Sequence, residues 1–554
     1  MFDFKLLGLL ALYGFQPFVA AQPVDSAAPV IDLGYAKYQG IFNETTNVTS
    51  FLGMRYAAPP VGELRWQAPR PPLDESSKGV QKADAQPTQC PQALQGAADG
   101  NPFVVNSTSH QGLQKRQGGG VAPTDTPISE DCLFINVQYP GNSTSPKSLP
   151  VLVYIHGGGY TLGGANLYDG DFLVDQSNQE VIVVVLQYRL GLFGFLAGEK
   201  VKSDGALNVG LLDQNFALRW VNQYISEFGG DPDRVTLWGK SAGGGSVLQQ
   251  VIADGGQTRP QLFRAALASS PYLPAQYHYN DAIPEAVYKQ IVDQVNCTSA
   301  QDTLDCLRKT DTKALQDVNS NINLAGFYGT FTFVPVIDGK FIQQRPIKAM
   351  KEGKVNGKIL YAITNSHEGT IYVNSDAAPL TPGVFASQLF PTIGSKEMAT
   401  VDKLYNGLGS NFDQKSLILG EATFICPAYY LLGAFKNRAF KAEFAVAPAA
   451  HLNDIPYTFP SASILTPVNF NNTDFIDAFV QSYLAFTISL NPGDKINGAP
   501  SVITPQWNMY NPGNIEMLFN KTEDDLPDIR AGKTDDAFAT RCRFWQSISA
   551  ITSQ

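Results

Sequence analysis

One serine in this chain is set between glycines directly after a short apolar run. Ser241 lies in the pattern Gly239-x-Ser241-x-Gly243, with "VTLW" just before it and the helix-like stretch "AGGGSVLQQVI" after it. Glycines on both sides permit a tight strand-to-helix turn that holds a hydroxyl clear of its neighbours. The N-terminus of the following helix also favours negative charge that develops beside it. The pattern therefore predicts that Ser241 is a nucleophile.

A second glycine-rich segment follows another apolar run, "VLVYI". Residues 156–160 read "HGGGY". Glycines at this place leave backbone N–H groups free to face an oxygen atom of a bound molecule. Such a loop supplies oxyanion donors together with the N–H of the residue that follows the nucleophile, here Ala242. The two segments together predict a site for acyl transfer.

An acyl-transfer site also needs a base, and the chain has only five histidines. In this kind of site the residues occur along the chain in the order serine, acid, histidine. His110 and His156 precede the serine, and His278 precedes any carboxylate that could end a strand. His367 directly precedes a carboxylate, so it does not follow that carboxylate along the chain as the order requires. His451, in "AAHLND", is therefore the predicted base.

The predicted acid is Glu368 in "ILYAITNSHEGT", which follows a predicted strand. Asp338 in "VPVIDGK" and Asp454 are rival candidates. A carboxylate next to a histidine favours the protonated ring, so Glu368 is expected to raise the pKa of the base. Activity is then expected to fall as the pH drops through roughly 6 to 7.5.

Short apolar runs rich in β-branched residues alternate with helical patterns along the chain. Continuous runs of this kind are typical of strands buried on both faces. The stretch "DQNFALRWVNQYISEFGG" has helical spacing and ends at two glycines, Gly229 and Gly230. The alternation predicts an α/β fold with a large, mostly parallel sheet flanked by helices, and ligand sites at the carboxyl ends of its strands. The predicted strands span residues 151–155, 181–186, 235–238, 265–269 and 359–363.

The N-terminus is typical of a secretory signal peptide. Lys5 precedes an apolar run at residues 6–13, and small residues follow at Ala20 and Ala21. We therefore expect residues 1–20 to be removed and the protein to be secreted.

The composition excludes some functions. The formal net charge is −10, which does not attract phosphate, so nucleic acid is not an expected partner. No stretch after the leader has the 18 or more consecutive apolar residues of a typical membrane span, so no transmembrane segment is expected.

Cysteines and glycosylation signals fit an oxidising compartment. The even count of six cysteines suggests three disulfides, although the count alone leaves the pairing open. No CxxC pair occurs, so no zinc site is expected. Sequons that predict surface glycans occur at Asn43, Asn47, Asn106, Asn142, Asn296, Asn471 and Asn520.

Residues 91–131 differ in composition from the rest of the chain. Gly, Pro, Ala, Ser and Gln dominate, and Phe103 is the only aromatic residue. A loop of this length is usually either functional or disordered. It contains the dipeptide Lys115-Arg116, a potential cleavage signal, for which an exposed loop is the favoured interpretation.

These motifs together resemble the type-B carboxylesterase/lipase family, which includes the cholinesterases, and in particular its secreted fungal members. The resemblance extends from about residue 29 to the end of the chain. The segments that carry it are "GKSAGGGSV", "HGGGY", "ISEDCLFINV", "FLGMRYAAPPVGELRW", "YRLGLFGFLA", "GLLDQNFALRWVNQYISEFGGDPDRVTLWG" and "NSHEGT".

The resemblance implies that residues 21–554 form one catalytic domain with the α/β-hydrolase fold. It implies a triad of Ser241, Glu368 and His451. Its oxyanion donors correspond to Gly158, Gly159 and Ala242. It further implies the disulfides Cys90–Cys132, Cys297–Cys306 and Cys426–Cys542, and the ion pairs Arg65–Glu130 and Arg189–Asp213.

Three departures from the family pattern bear on the substrate. Lys240 replaces the glutamate that usually precedes the nucleophile, and His367 replaces an aspartate before the acid. The loop between Cys90 and Cys132 lacks the tryptophan that binds choline in cholinesterases. We expect Lys240 to tune substrate charge by disfavouring cationic esters. The alternative is that Lys240 turns away and pairs with a nearby carboxylate.

The sequence thus predicts a secreted serine carboxylic-ester hydrolase that cleaves neutral lipophilic esters through an acyl-enzyme on Ser241. The partner is a small-molecule or lipid ester, and no metal or cofactor is expected. An alternative is a lipase whose lid is the loop of residues 90–132. A remote alternative is a non-catalytic, cholinesterase-like adhesion module, a class that typically lacks the nucleophile. The oligomeric state is not readable from the sequence.

Overall fold

The structure is a computed structural model that describes residues 28–104, 126–143, 148–500, 502–511 and 513–554. The predicted signal peptide (residues 1–20), the dipeptide Lys115-Arg116, His110 and the sequon at Asn106 lie outside the described residues.

The strands form one large sheet and one small sheet. The large sheet has 11 strands in the order β14-β13-β12-β11-β10-β9-β7-β8-β6-β4-β3, and the small one has the order β1-β2-β5. The strands are β1 Val30–Asp32, β2 Lys37–Gln39, β3 Ile41–Asn43, β4 Val48–Arg55, β5 Val80–Lys82, β6 Phe134–Pro140, β7 Leu149–Ile155, β8 Ile182–Leu186, β9 Gly230–Lys240, β10 Ala265–Ser269, β11 Ile359–Asn365, β12 Ala439–Phe444, β13 Ile515–Lys521 and β14 Pro527–Lys533.

The centre of the large sheet is parallel and its two edges are antiparallel. Strands β8, β7, β9, β10, β11, β12 and β13 pair in parallel, whereas β14 at one edge and β6, β4 and β3 at the other pair antiparallel. Every residue of β8, β10 and β11 is buried, as the continuous apolar runs predict. The predicted large, mostly parallel sheet is confirmed.

Helices cover both faces of this sheet, and the sheet separates two apolar cores, one on each side. The α-helices of the described residues are α1 Asp171–Gln176, α2 Gly191–Phe195, α3 Glu199–Asp204, α4 Val209–Tyr224, α5 Ala242–Ile252, α6 Ala282–Gln294, α7 Thr303–Lys309, α8 Thr312–Leu324, α9 Pro346–Lys351, α10 Pro382–Leu389, α11 Ser395–Tyr405, α12 Asn411–Gly420, α13 Cys426–Phe435, α14 Ile455–Thr458, α15 Thr473–Ser489, α16 Asp536–Ser547 and α17 Ser549–Thr552.

The long helix predicted before the nucleophile strand is α4. A 3-10 turn at Ile225–Phe228 extends it, and Gly229 then adopts φ 82°, a left-handed conformation that ends the helix at the predicted glycines. The chain passes directly into β9, which carries the nucleophile at its end.

One helical stretch within the described residues is long and apolar enough to meet the length and composition of a membrane span. It runs from Asn411 to Phe435 and includes α12 and α13. In this fold 78% of its most apolar window is buried against the rest of the protein, which is typical of a core helix.

Covalent and ionic links hold the loops to this frame. Disulfides join Cys90 to Cys132, Cys297 to Cys306 and Cys426 to Cys542, the pairing that the family resemblance implies. The two implied ion pairs are also present and buried. Arg65 contacts Glu130 at 2.6 Å, and Arg189 contacts Asp213 at 2.7 Å.

Candidate active site

Ser241 occupies the single-residue turn between β9 and α5. Its backbone angles are φ 61° and ψ −124°, a conformation that is strained for any residue with a side chain. Its N–H donates to the carbonyl of Ser269 at 3.0 Å, and its own carbonyl accepts from Tyr272 and Gly245. The turn is therefore held from the neighbouring strand β10 and from α5, and the side chain is 3% exposed.

The glycines around Ser241 are required by close backbone contacts. A Cβ atom on Gly239 would lie 2.2 Å from the carbonyl oxygen of Gly243. A Cβ atom on Gly243 would lie 2.0 Å from the carbonyl oxygen of Ile155. Both distances are far shorter than non-bonded contacts allow, so side chains at either position would force the turn apart.

The predicted oxyanion loop lies against the nucleophile. A Cβ atom on Gly157 would be 3.0 Å from the Cβ atom of Ser241. Within the described residues, the backbone N–H groups of Gly158 and Gly159 donate to no protein acceptor. Ala242 is the first residue of α5, so its N–H has no acceptor inside the helix. The structure thus places the loop that carries Gly158 and Gly159 against Ser241, with Ala242 directly after it.

Glu368 and His451 are in direct contact. His451 Nδ1 lies 2.5 Å from Glu368 Oε2. The other carboxylate oxygen, Oε1, accepts hydrogen bonds from the Ser270 hydroxyl at 2.5 Å and the Asn365 N–H at 2.6 Å. Both side chains are buried, with Glu368 0% and His451 2% exposed. The carboxylate is therefore fixed on both oxygens.

The electrostatics of this pair differ from the expectation. Burial alone would raise the pKa of Glu368, but Lys240, His451 and Ser270 together lower it to about 2. Burial lowers the pKa of His451 below its ordinary value, and the opposing effect of Glu368 does not restore it. The expectation that the neighbouring carboxylate gives a net increase is therefore wrong, because desolvation of the ring has the larger effect.

The remaining ring nitrogen of His451, Nε2, has no hydrogen-bond partner in the described residues. The ring packs against Phe424 at a centroid distance of 4.5 Å and against Tyr372 at 5.3 Å. Burial raises the pKa of Tyr372, so this ring stays uncharged beside His451. No hydrogen bond between Ser241 and His451 is present, an arrangement common in free enzymes whose catalytic contacts tighten when substrate binds.

The charge of Lys240 is paired inside the protein. Its ammonium contacts Asp454 Oδ1 at 2.6 Å, Ser270 Oγ at 2.6 Å and Asn365 Oδ1 at 3.2 Å. The side chain is 2% exposed. These contacts contradict the prediction of a substrate-charge role, because the charge is neutralised inside the protein. The alternative, pairing with a nearby carboxylate, is the one observed.

The rival acids and bases have other contacts. Asp338 accepts backbone N–H groups of its own turn, from Lys340, Phe341 and Ile342. Asp454 pairs with Lys240 rather than with His451. The side chain of His367 is exposed. His156 is buried, and its Nδ1 contacts the Gly157 carbonyl oxygen.

A pocket of about 120 Å³ lies beside the oxyanion loop, and its lining is mainly aromatic and aliphatic. Phe331 lines it and approaches Gly159 so closely that a Cβ atom there would be 2.3 Å from the ring. Tyr272 lines it too, and its N–H donates to the Ser241 carbonyl. Ser241 and His451 are not among the lining residues, so the pocket adjoins the triad rather than containing it.

The long loop between Cys90 and Cys132 contributes to this pocket. Asn101 and Phe103 are among the lining residues. Asn101 is fixed to Gln388 of α10, because its backbone N–H donates to Gln388 Oε1 at 2.7 Å and its side-chain amide donates to the Gln388 carbonyl at 2.8 Å. The described part of the loop therefore forms one wall of the pocket.

Most described sequon asparagines are at the surface. Asn43, Asn47, Asn142, Asn296 and Asn471 are exposed. Asn520 on β13 is half-buried, and its side-chain oxygen accepts the Lys521 N–H. The predicted glycans would meet the least steric hindrance at the five exposed positions.

Sequence reasoning missed four residues of the site: Ser270, Asn365, Tyr372 and Phe331. Ser270 and Asn365 lie at the carboxyl ends of β10 and β11, so a search of every polar residue at a strand end would have found them. Tyr372 ends a one-turn 3-10 helix and Phe331 lies in a loop, and no sequence pattern indicates the direction of an aromatic ring in such short segments.

Comparisons with known proteins agree with this geometry. A family model described as the carboxylesterase family matches residues 27–545. The chain is 30% identical to carboxylesterase patB of Aspergillus clavatus, over 96% of this chain and 98% of that protein. It is also 30% identical to secreted lipase 1 of Botryotinia fuckeliana, over 88% of each. Among solved structures, Aspergillus niger EstA matches with a TM-score of 0.80 and 30% identity, over 95% of this chain and 99% of that chain.

Proposed function

The chain belongs to the carboxylesterase family and is a carboxylic ester hydrolase, and on that premise we propose that it is a secreted enzyme that cleaves neutral lipophilic esters through an acyl-enzyme on Ser241. The observation that carries this proposal is the buried contact between Glu368 and His451 behind the strained turn of Ser241.

In the proposed mechanism, Ser241 Oγ attacks the ester carbonyl and gives its proton to His451 Nε2. The N–H groups of Gly158, Gly159 and Ala242 stabilise the oxyanion, at about 3 kcal/mol for each good donor. The bond to the alkoxy group then breaks, and His451 returns the proton to the departing alcohol. A water molecule next gives a proton to His451 and attacks the acyl carbon, which releases the acid and regenerates Ser241.

Glu368 holds the ring of His451 so that Nδ1 carries the proton and Nε2 is the base. Because the pKa of Glu368 is about 2, its carboxylate stays ionised wherever His451 titrates. An ionised carboxylate stabilises the imidazolium that forms during each proton transfer.

The apolar pocket beside the oxyanion loop supports a neutral lipophilic substrate. Its walls include Phe103, Phe331 and Phe390. Each methylene that a substrate buries there contributes about 0.8 kcal/mol. Lys240 is not part of the argument for a neutral substrate, because its charge is paired with Asp454.

The test uses 4-nitrophenyl esters of increasing acyl length with wild type and Ser241→Ala. We expect wild type to hydrolyse them with a rate that rises from acetate to longer chains, and Ser241→Ala to lose about a millionfold in kcat. Wild-type hydrolysis that persists in Ser241→Ala would contradict the proposed nucleophile. N-terminal sequencing of protein from the culture medium tests secretion, and a mature chain that begins near Ala21 is the expected result.

A lipase is the second candidate, because the loop of residues 90–132 contributes Asn101 and Phe103 to the pocket wall. A lid in that loop would make the enzyme respond to an oil–water interface. The measurement is the rate of triglyceride hydrolysis below and above the solubility limit. A steep rise above the limit favours the lipase, whereas saturation below it favours the esterase.

A further inference from the structure

Lys240 and Asp454 form a buried ion pair directly behind the triad. The two side chains are 2% and 3% exposed, and their charged atoms are 2.6 Å apart. An ammonium has three donors and no acceptor. Ser270, Asn365 and Asp454 accept from Lys240, so each donor has a partner. The side chain of Lys240 is therefore held in one conformation by three hydrogen bonds.

The pair is connected to the acid through one hydroxyl group. The Ser270 hydroxyl accepts from Lys240 at 2.6 Å and contacts Glu368 Oε1 at 2.5 Å. Because the ammonium can only donate, Ser270 must use its single hydrogen on the carboxylate. Lys240 thereby fixes the direction of the hydrogen bond that Glu368 receives.

The pair is also connected to the loop of the base. The Asn365 amide donates to the Ala450 carbonyl at 2.6 Å and to Asp454 at 3.1 Å. Ala450 directly precedes His451. The ends of β9, β10 and β11 and the histidine loop are therefore joined by one hydrogen-bonded network centred on Lys240.

From this network we propose that Lys240 is a positioning residue, and that the Lys240–Asp454 pair sets how readily His451 accepts a proton, through its two opposite charges and through the contacts of Ser270 with Glu368. This inference rests on the roles proposed above for Glu368 and His451. It also explains the lysine next to the nucleophile.

The charges around His451 give the two members of the pair opposite effects. Burial lowers the pKa of His451 and Glu368 raises it, while Lys240 lowers it and Asp454 raises it. Among the described residues, the other titratable group that packs against the ring is Tyr372, whose pKa burial raises far above neutral, so it stays uncharged. Burial likewise raises the pKa of the tyrosines whose ionisation Asp454 opposes, and they too stay neutral: Tyr154, Tyr168, Tyr361 and Tyr483.

The experiment measures kcat/KM against pH for wild type, Lys240→Met, Asp454→Asn and the double variant. Lys240→Met should move the acid-side fall of the profile to higher pH, because Asp454 is left unbalanced. Asp454→Asn should move it to lower pH, and the double variant should return toward wild type. We expect each single shift to be about half a pH unit or more, a modest value for a unit charge close to a titrating group.

Asp213→Asn is the matched control, since it removes the carboxylate charge from an equally buried ion pair, with Arg189, that makes no contact with Glu368 or His451. It should lower the melting temperature without moving the profile. A purely structural role for Lys240 predicts this same behaviour for Lys240→Met and Asp454→Asn. Two single variants that leave the profile in place, or move it in the same direction, overturn the inference.

If Lys240→Met does not fold, Asp454→Asn and the double variant carry the test. A shift of the Asp454→Asn profile to lower pH that the double variant reverses supports the inference. An Asp454→Asn profile that stays at the wild-type pH overturns it. Failure of the proposed function is observed separately: wild-type protein would then show no ester hydrolysis that is lost in Ser241→Ala. In that case NMR titration of the His451 ring in the same variants, assigned with His451→Ala, still reads the predicted opposite shifts.

Discussion

The two sides of Ser241 are built from different parts of the chain. Behind it lies a polar side, made of Lys240, Ser270, Asn365, Glu368, His451 and Asp454. In front of it lies an apolar side, the pocket lined by residues such as Phe103, Tyr272, Phe331 and Phe390. The polar side sits at the ends of β9, β10 and β11 and in the loop after β12. The apolar side comes mainly from loops and helix ends.

The polar side carries the reacting groups, whereas the apolar side determines which substrates fit. Parallel pairing fixes the relative positions of strand ends, and each side chain of the polar side has at least one specific hydrogen-bond partner there. The pocket wall has no comparable constraint, since an apolar surface is defined by its shape rather than by donors and acceptors. We therefore expect changes on the polar side to alter the reaction itself, and changes on the apolar side to alter stability and substrate preference.

The largest expected effect is on the polar side. His451→Ala should lower kcat about a millionfold, as expected when a triad loses its base. The measurement is hydrolysis of a 4-nitrophenyl ester by variants of confirmed folding. His367→Ala is the control, because that side chain is exposed, and it should stay close to wild type. A His451→Ala variant that keeps more than about a tenth of the activity would contradict the assignment of the base.

The next effect concerns the covalent link that holds the loop of the apolar side. Replacing Cys90 and Cys132 with alanine should cost about 4 kcal/mol of unfolding free energy, because the link closes a 42-residue separation. The same change at Cys297 and Cys306, separated by 9 residues, should cost about 2.5 kcal/mol. Denaturant unfolding measures both. An equal loss in the two variants would show that loop closure is not the cause.

On the pocket wall, Phe103→Ala should lower kcat/KM for long-chain neutral esters about tenfold, through lost apolar contact, and should change acetate esters little. Phe412→Ala is a matched control, because Phe412 is also partly buried but does not line the pocket. A uniform loss across all chain lengths would mean that Phe103 supports the fold rather than the substrate.

The smallest effect is in the pH profile of wild type. The base must be neutral to act, and burial lowers the pKa of His451 below its ordinary value. The fall in kcat/KM on acidification should therefore have its midpoint below pH ~6.5, the ordinary value of a histidine. A midpoint clearly above that pH would show that Glu368 outweighs desolvation.

The sequence predicts the reacting groups better than their environment. Ser241, Glu368 and His451 could be proposed because glycine patterns, strand ends and chain order constrain them. The sheet could be predicted because strands buried on both faces appear as unbroken apolar runs, as in β8 and β10.

The direction of Lys240 could not be predicted, because its partner Asp454 lies 214 residues away along the chain. The pKa of His451 had the wrong expected direction for a related reason. The sequence shows that a carboxylate is near, but it does not show how completely Phe424, Tyr372 and their neighbours exclude water from the ring. Long-range packing decides both features.

The central claim is that ester hydrolysis passes through a covalent intermediate on Ser241 that His451 activates. The most direct measurement is reaction with a fluorophosphonate, followed by intact-mass and peptide-mapping mass spectrometry. We predict one adduct per chain, located on Ser241, with loss of esterase activity in step with labelling and with much slower labelling in His451→Ala. An enzyme that hydrolyses esters but carries the adduct elsewhere, or keeps its activity when Ser241 is fully labelled, would contradict the account.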